Sequence, residues 1–357
     1  MFRMPGYPVL LAPLFMICDD PPVWSGRVLG AVLGTAAVAG VGWLAAVCFD
    51  GRTALMAATL AAFYPGAVAM SVFLLSEAPF CPFMLWQLAA WANAWRAPVR
   101  RNAMGWSLSA GIAAGLATLM RPSWLLFTPF ALVFPVVFST QRARHALLGG
   151  IMLLACAAVM APWWVRNYTL AGRFLPTTSE TGSSLYDGLS PYATGESNFT
   201  PVDEFKLRWF HSLPPEQRPH GIELELAWDQ QLRQAALEWA QTHPRRVLEL
   251  AGAKFLRMWN VWPNADEFQS PRLRWIVALS YTPVLLLSLA GAWRFAPRGW
   301  PYVLCLLPAM YFTALHVIFV ASIRYRDPAM LTLMILAAGV VTSWRRAGEL
   351  SQAGALS

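Results

Sequence analysis

Long apolar runs joined by short polar turns make up most of the chain, and one polar stretch of about 105 residues, between Tyr168 and Leu273, divides them into two groups. A hydrocarbon core about 30 Å thick takes roughly 20 helical residues to cross. A backbone in lipid must also satisfy its own hydrogen bonds, so runs of this length predict helices rather than barrel strands. Spans are expected at 25–49, 53–75, 79–95, 104–120, 122–139, 145–164, 273–293, 300–321 and 328–344. The predicted fold is an all-α polytopic membrane protein of about nine transmembrane helices, with a large external loop domain between the sixth and seventh spans. Segment 8–18 is too short to span and is bounded by Pro5, Asp19, Asp20, Pro21 and Pro22, which predicts an interfacial or re-entrant helix.

Inside the loop, 174–201 is rich in Ser, Thr, Gly and Pro and is expected to be irregular. Residues 221–242 carry helical periodicity in Leu224, Trp228, Leu232, Ala235, Ala236 and Trp239. A second amphipathic stretch, 245–259, sets Leu248, Phe255 and Trp259 beside Arg246, Lys254 and Arg257. That mixture suits either a lipid headgroup layer or a packed helical hairpin.

Arginine marks every second turn, at Arg52, at Arg96, Arg100 and Arg101, at Arg142 and Arg144, at Arg294 and Arg298, and at Arg345 and Arg346. The positive-inside rule makes those turns cytoplasmic and the long loop external. The layout is then 1–24 before the spans, helices one to six over 25–165, the external loop domain over 166–272, helices seven to nine over 273–345, and a cytoplasmic tail at 346–357.

Composition agrees: 57% of residues are hydrophobic, 13% are charged and mean hydropathy is +0.45, where a soluble domain carries about 25% charge. The net charge of +8 sits in short loops beside apolar runs, which sets orientation and argues against a nucleic-acid partner. Five cysteines in apolar surroundings, with no CxxC spacing, read as small buried hydrophobes. With 25 arginines against two lysines the chain looks bacterial, so the acceptor-like sequences at Asn167 and Asn198 are discounted as glycosylation sites. The expected location is a bacterial inner membrane, multi-pass, with the large loop periplasmic or extracellular.

Five short segments carry a resemblance: Arg3-Met-Pro-Gly-Tyr-Pro8; Ala62-Phe-Tyr-Pro-Gly66 followed by Leu75-Ser-Glu-Ala-Pro79; Gly115-Leu-Ala-Thr-Leu-Met-Arg-Pro122; Pro162-Trp-Trp-Val-Arg-Asn-Tyr168; and Arg324-Tyr-Arg-Asp-Pro328. In this order, with Ser184-Leu-Tyr-Asp-Gly188, the chain resembles the GT-C integral-membrane glycosyltransferases, in the branch of protein mannosyltransferases and aminoarabinose lipid A transferases. The resemblance implies transfer of a sugar from a polyprenyl-phosphate carrier to a lipid, glycan or protein acceptor at the external face. In that family a first span and an acid-bearing external loop precede the first segment. The sequence has two residues before Arg3, so 1–24 reads as a remnant of that loop, and a gene start placed too late or an inactive relative is expected. The N-terminus also lacks a signal peptide's pattern.

Such chemistry needs a carboxylate to orient or deprotonate the acceptor and cations to stabilise the leaving phosphate. Glu77, among apolar neighbours between two spans, is the expected catalytic or acceptor-orienting group. The bland alternative is an acid placed by the dipole of the helix it starts. Arg121, Arg324 and Arg326 are the expected donor-phosphate ligands. Snorkelling for Arg121, and pairing with Asp327 or Glu77 for the others, are the structural alternatives. His316 and Tyr325 are candidates for the same cleft, with a hydrogen-bonded core role open for His316. Arg3, Tyr7, Tyr186 and Asp187 join the cleft through the resemblance alone. Arg166 is weighed against an interfacial belt with Trp163 and Trp164. No HxxxH, DxD or CxxC spacing supports a metal, and no cofactor is expected. A lipid or solute transporter and a non-catalytic membrane scaffold are the alternative functions; charges gathered on one face without a repeat favour the enzyme over the transporter.

Overall fold

The computed structural model describes residues 3–263 and 270–355, with side chains described as far as Arg345. Those residues form helices and turns without strands. The chain divides into two compact units.

The larger unit draws on Gly6–Met160, Val261–Tyr311 and Asp327–Ser357. Its elements are α1 (Gly6–Ile17), α2 (Val23–Cys48), α3 (Gly51–Phe63), α4 (Pro65–Val72), α5 (Glu77–Arg96), α6 (Arg100–Met120), α7 (Phe127–Phe138), most of α8 (Arg142–Ala171), α13 (Pro271–Phe295), the start of α14 (Leu307–Ile318) and most of α15 (Ile323–Ala355). Among the described residues, five helices are long and apolar enough to cross a membrane: α2, α6, α8, α13 with its extension to Arg298, and α15 as far as Arg345. The pair α3–α4, bent by 60°, is either a sixth, broken span or a re-entrant loop.

The nine expected spans therefore map onto elements of different kinds. Span 53–75 is broken by 60° between α3 and α4. Pro65 supplies no N–H there, and Tyr64 before it takes the extended backbone (φ −72°, ψ 118°) that a following proline favours. Span 79–95 is α5, which is enclosed by other helices. Phe80, Met84, Leu85, Leu88 and Trp91 are all buried, so α5 has no need to be lipophilic throughout. It carries Gln87 at 0% exposure, satisfied by donating to Thr128 Oγ1 at 2.8 Å and accepting from Trp124 Nε1 at 2.7 Å. Spans 122–139 and 300–321 appear as the 12-residue helices α7 and α14, each preceded by a short 3-10 turn.

Small residues let these helices approach closely, as is common where helices pack in lipid. Gly26, Gly30 and Gly34 recur at every fourth position of α2; Gly26 faces Leu74, beyond the end of α4, and the other two face Ser71 of α4, where a Cβ on Gly30 would lie 2.2 Å from Ser71 O. On α6, a Cβ at Gly111 would lie 2.3 Å from Met152 O of α8.

The smaller unit draws on Met1–Pro5, Ala161–Asn260 and Phe312–Arg326. It holds α9 (Thr181–Gly188), α10 (Thr200–Ser212), α11 (Gly221–Thr242) and α12 (Pro244–Met258). The expected helix 221–242 is α11, and α12 matches 245–259 within a residue. The stretch expected to be irregular contains α9, because Leu185, Tyr186 and Leu189 pack with Val202, Leu232 and Ala236 into this unit's core. The α12 helix buries Leu250, Lys254 and Met258 while leaving Leu248 73% and Leu256 70% exposed. Packing on one face and an apolar outer face thus coexist. Cys48, Cys81, Cys156 and Cys305 are buried thiols as expected; Cys18, after α1, is exposed.

Candidate active site

Glu77 is the first residue of α5 and is 1% exposed. The dipole of that helix favours a carboxylate in its first turn, but burial this complete also requires a partner. Arg121 provides one. It follows the last residue of α6, where the helix gives way to extended backbone before Pro122, and its Nη1 lies 2.8 Å from Glu77 Oε1. The guanidinium also sits 5.8 Å from the centre of the Phe80 ring. A neutral pair with a planar, multi-donor cation is how such a carboxylate remains ionised among apolar neighbours.

A second carboxylate completes the group. Asp327 Oδ1 accepts from Tyr64 Oη at 3.3 Å, and a Cβ on Gly66 would lie 2.7 Å from that same oxygen. Cys81, one turn along α5 from Glu77, is within electrostatic reach of Glu77, Arg121 and Asp327. Tyr7, near the start of α1, is in electrostatic reach of Glu77. Its neighbour Gly6 packs so closely on the end of α6 that a Cβ would lie 2.6 Å from Leu119 O. Residues from four of the five segments singled out in the sequence thus converge, across more than 300 residues of chain, on one polar cluster within the larger unit.

The remaining candidates lie in the smaller unit. Arg324 is exposed and lies over the Tyr325 ring at 5.1 Å. Tyr325 stacks on His316 with ring centres 4.1 Å apart, and His316 Nδ1 is 2.7 Å from Val320 O. His316 therefore has the hydrogen-bonded core role weighed above. Arg326 is 1% exposed, and its guanidinium donates to the carbonyls of Met258 and Asn260. It is an internal tie for the turn after α12, which removes it from the phosphate ligands proposed below.

Tyr186 is 6% exposed and packs against Phe205 with ring centres 5.0 Å apart, a core position. Asp187 is 5% exposed; it accepts from Ser197 Oγ at 2.7 Å and from Asn198 N at 2.9 Å. Burial pushes its carboxyl above the usual range, against the pull of those two bonds and of Lys254. Arg3 is exposed and in electrostatic reach of Glu180, whose carboxyl burial also raises. Arg166 lies 4.8 Å over the Trp163 ring, in keeping with an interfacial belt.

Two features escaped sequence reasoning. Asp327 was weighed only as a partner for arginine, although its place one residue before Pro328 in a quoted segment was a usable signal. Lys254 is 0% exposed and donates to Gly188 O at 2.8 Å and Ile318 O at 2.7 Å, the carbonyl ends of α9 and α14. Burial lowers its ammonium to about 8. That one of only two lysines faces inward on α12 was visible in the helical register.

Residues 3–164 match the model of the dolichyl-phosphate-mannose-protein mannosyltransferase family. Among solved structures, the archaeal oligosaccharyltransferase AglB from Archaeoglobus fulgidus, in complex with an inhibitory peptide and a dolichol-phosphate, aligns with 98% of this chain and 43% of its own. Sequence identity is 16% and the TM-score 0.60. The fold is similar to that of this oligosaccharyltransferase. A further structure of the A. fulgidus oligosaccharyltransferase, in complex with Zn and sulfate, gives a TM-score of 0.54 at 17% identity, over 99% of this chain and 43% of that one. The chain thus spans less than half the length of these solved structures. No curated protein sequence matches it.

Proposed function

We propose that the chain is a membrane glycosyltransferase that moves a sugar from a polyprenyl-phosphate carrier to an acceptor at the external membrane face. The observation that carries this reading is the buried Glu77–Arg121 pair beside Asp327, assembled from segments far apart in sequence. Further support comes from the mannosyltransferase family match and from the dolichol-phosphate bound by the archaeal neighbour. The Arg-rich turns on alternate connections support the external placement of the long loop.

In the proposed reaction an acceptor oxygen attacks the anomeric carbon. The bond from that carbon to the carrier phosphate breaks, and polyprenyl phosphate leaves with the electron pair. Arg121 stabilises the charge growing on the phosphate. Glu77, held by a guanidinium, is a weak base but a fixed hydrogen-bond acceptor that orients the acceptor hydroxyl. Asp327, the second carboxylate of the cluster, accepts from the Tyr64 hydroxyl and is the group that receives the proton in this reading. Its role in the reaction extends the expectation drawn from sequence.

The test is release of labelled sugar from a polyprenyl-phosphate donor by the purified chain in nanodiscs. Glu77→Gln and Asp327→Asn are expected to lower the rate at least 100-fold, the scale on which removing one positioned acid–base group acts. Because an unpaired buried Arg121 destabilises, each variant is also checked by thermal melting. Folded variants with wild-type rates overturn the assignment.

A further inference from the structure

Behind Arg121 the larger unit holds a run of polar and aromatic contacts that take no direct part in the proposed reaction. Arg121 is followed by the 3-10 turn Pro122–Trp124, and its carbonyl accepts from Trp124 N at 3.1 Å. Trp124 is 1% exposed and pins that turn. Its ring stacks on Phe127 with centres 3.9 Å apart, and its Nε1 donates to Gln87 Oε1 at 2.7 Å. Tyr311 Oη donates to the Ser123 carbonyl of the same turn. The indole also stands edge-on to Phe80, with ring centres 5.2 Å apart, and Phe80 is the ring that the Arg121 guanidinium lies over. One side chain thus holds both the backbone that carries Arg121 and the aromatic face against which its guanidinium sits.

Gln87 is what holds Trp124. At this enclosed position on α5 a leucine would serve packing, whereas a buried amide is tolerated only with its polar atoms bonded. Here both ends are bonded: Oε1 accepts from the indole and Nε2 donates to Thr128 Oγ1 at 2.8 Å, so the amide has one orientation. We propose that Gln87 is a positioning residue for Arg121: by fixing the indole it sets where the guanidinium meets the carrier phosphate. Glu77 lies on the same helix, so α5 carries both the ion-pair partner of Arg121 and the anchor of the turn behind it. This rests on the role proposed above for Arg121 in stabilising the leaving phosphate.

The experiment uses the full chain in nanodiscs, with modification of arginines by phenylglyoxal mapped by peptide mass spectrometry. Gln87→Leu removes the acceptor of the Trp124 N–H, and Gln87→Glu keeps an oxygen there. Arg144 is the control for general loosening, since it donates to the carbonyls of Trp95 and Ala97 at the far end of α5. The expected result is that Arg121 is modified severalfold faster in Gln87→Leu and near the wild-type rate in Gln87→Glu, with Arg144 unchanged in both. In donor turnover, kcat of Gln87→Leu is expected to fall about 10- to 100-fold, the scale of a group displaced by about 1 Å, with KM within about twofold. Equal acceleration at Arg121 and Arg144 would make Gln87 a packing residue and overturn the proposal, as would wild-type protection of Arg121 or an unchanged kcat. If Gln87→Leu does not fold, Trp124→Phe, which lacks the indole N–H, is read in the same way. Absence of sugar release by the wild type overturns the glycosyltransferase reading instead, and the Arg121 modification rates still show whether Gln87 positions it.

Discussion

Single side chains in this protein combine burial with charge in two ways that differ in consequence. Glu77 and Arg121 neutralise each other directly, whereas Lys254 faces only carbonyl oxygens, with the Asp187 charge acting on it from nearby. Burial lowers the Lys254 ammonium to about 8 from an ordinary 10.5, so between those values the unfolded chain binds more protons than the folded one. Stability must then rise with pH across that window, and it is lost as pH falls through the folded value. The Asp187 charge pulls the ammonium the other way, and burial outweighs it. Thermal melts of the purified protein from pH 7 to pH 10.5 are expected to show this rise. Lys254→Met is expected to abolish it and to lower stability by about 1–3 kcal/mol, since two buried carbonyls lose their donor. A flat profile in the wild type would mean that the lysine is buried without cost.

Among the helices, α4 owes its position to two sequence features of unequal visibility. The break at Tyr64–Pro65 could be read from the proline, yet a continuous apolar run across 53–75 outweighed it in predicting one straight span. The glycines at 26, 30 and 34 have the four-residue spacing of a helix contact, but spacing alone does not reveal which helix they meet. The structure answers with Ser71 of α4 for Gly30 and Gly34, and with Leu74 for Gly26. Gly30→Ala is expected to destabilise by about 1–3 kcal/mol, the usual cost of overpacking, because its Cβ would lie 2.2 Å from a carbonyl oxygen that belongs to the main chain and cannot turn aside. Gly150→Ala serves as a control; no atom stands within 4 Å of its Cβ, so the change gains helix propensity of up to about 1 kcal/mol. Equal melting temperatures for the two variants would show that the α2–α4 seam is loose. The α5 helix illustrates the opposite difficulty: Glu77, Gln87 and Asn93 lower its hydropathy, but total enclosure makes a polar helix admissible at the centre of a bundle.

At the scale of the whole chain, the apolar pattern was enough for an all-helical membrane fold and for the order of most elements, because burial in lipid imposes length and periodicity locally. It was less informative about the site, since Asp327, Tyr64 and Gly66 acquire meaning only when segments over 260 residues apart meet. Sidedness is a different kind of expectation: it is drawn from arginine placement alone and requires no tertiary contact. If that rule governs this chain, the turn before α8 is cytoplasmic and the connection between α11 and α12 is external. Thr140 and Gln241 are both exposed and mark these two places. Cys18, also exposed, is first replaced by serine so that it does not compete for the label; the other four thiols are buried. In intact bacterial spheroplasts, a membrane-impermeant maleimide is then expected to label Gln241→Cys at once and Thr140→Cys only after lysis. The reverse order would put Glu77, Arg121 and Asp327 on the cytoplasmic side. A carrier-linked sugar displayed outside could then not be their substrate, and the external reaction would have to be given up even if sugar transfer itself were observed.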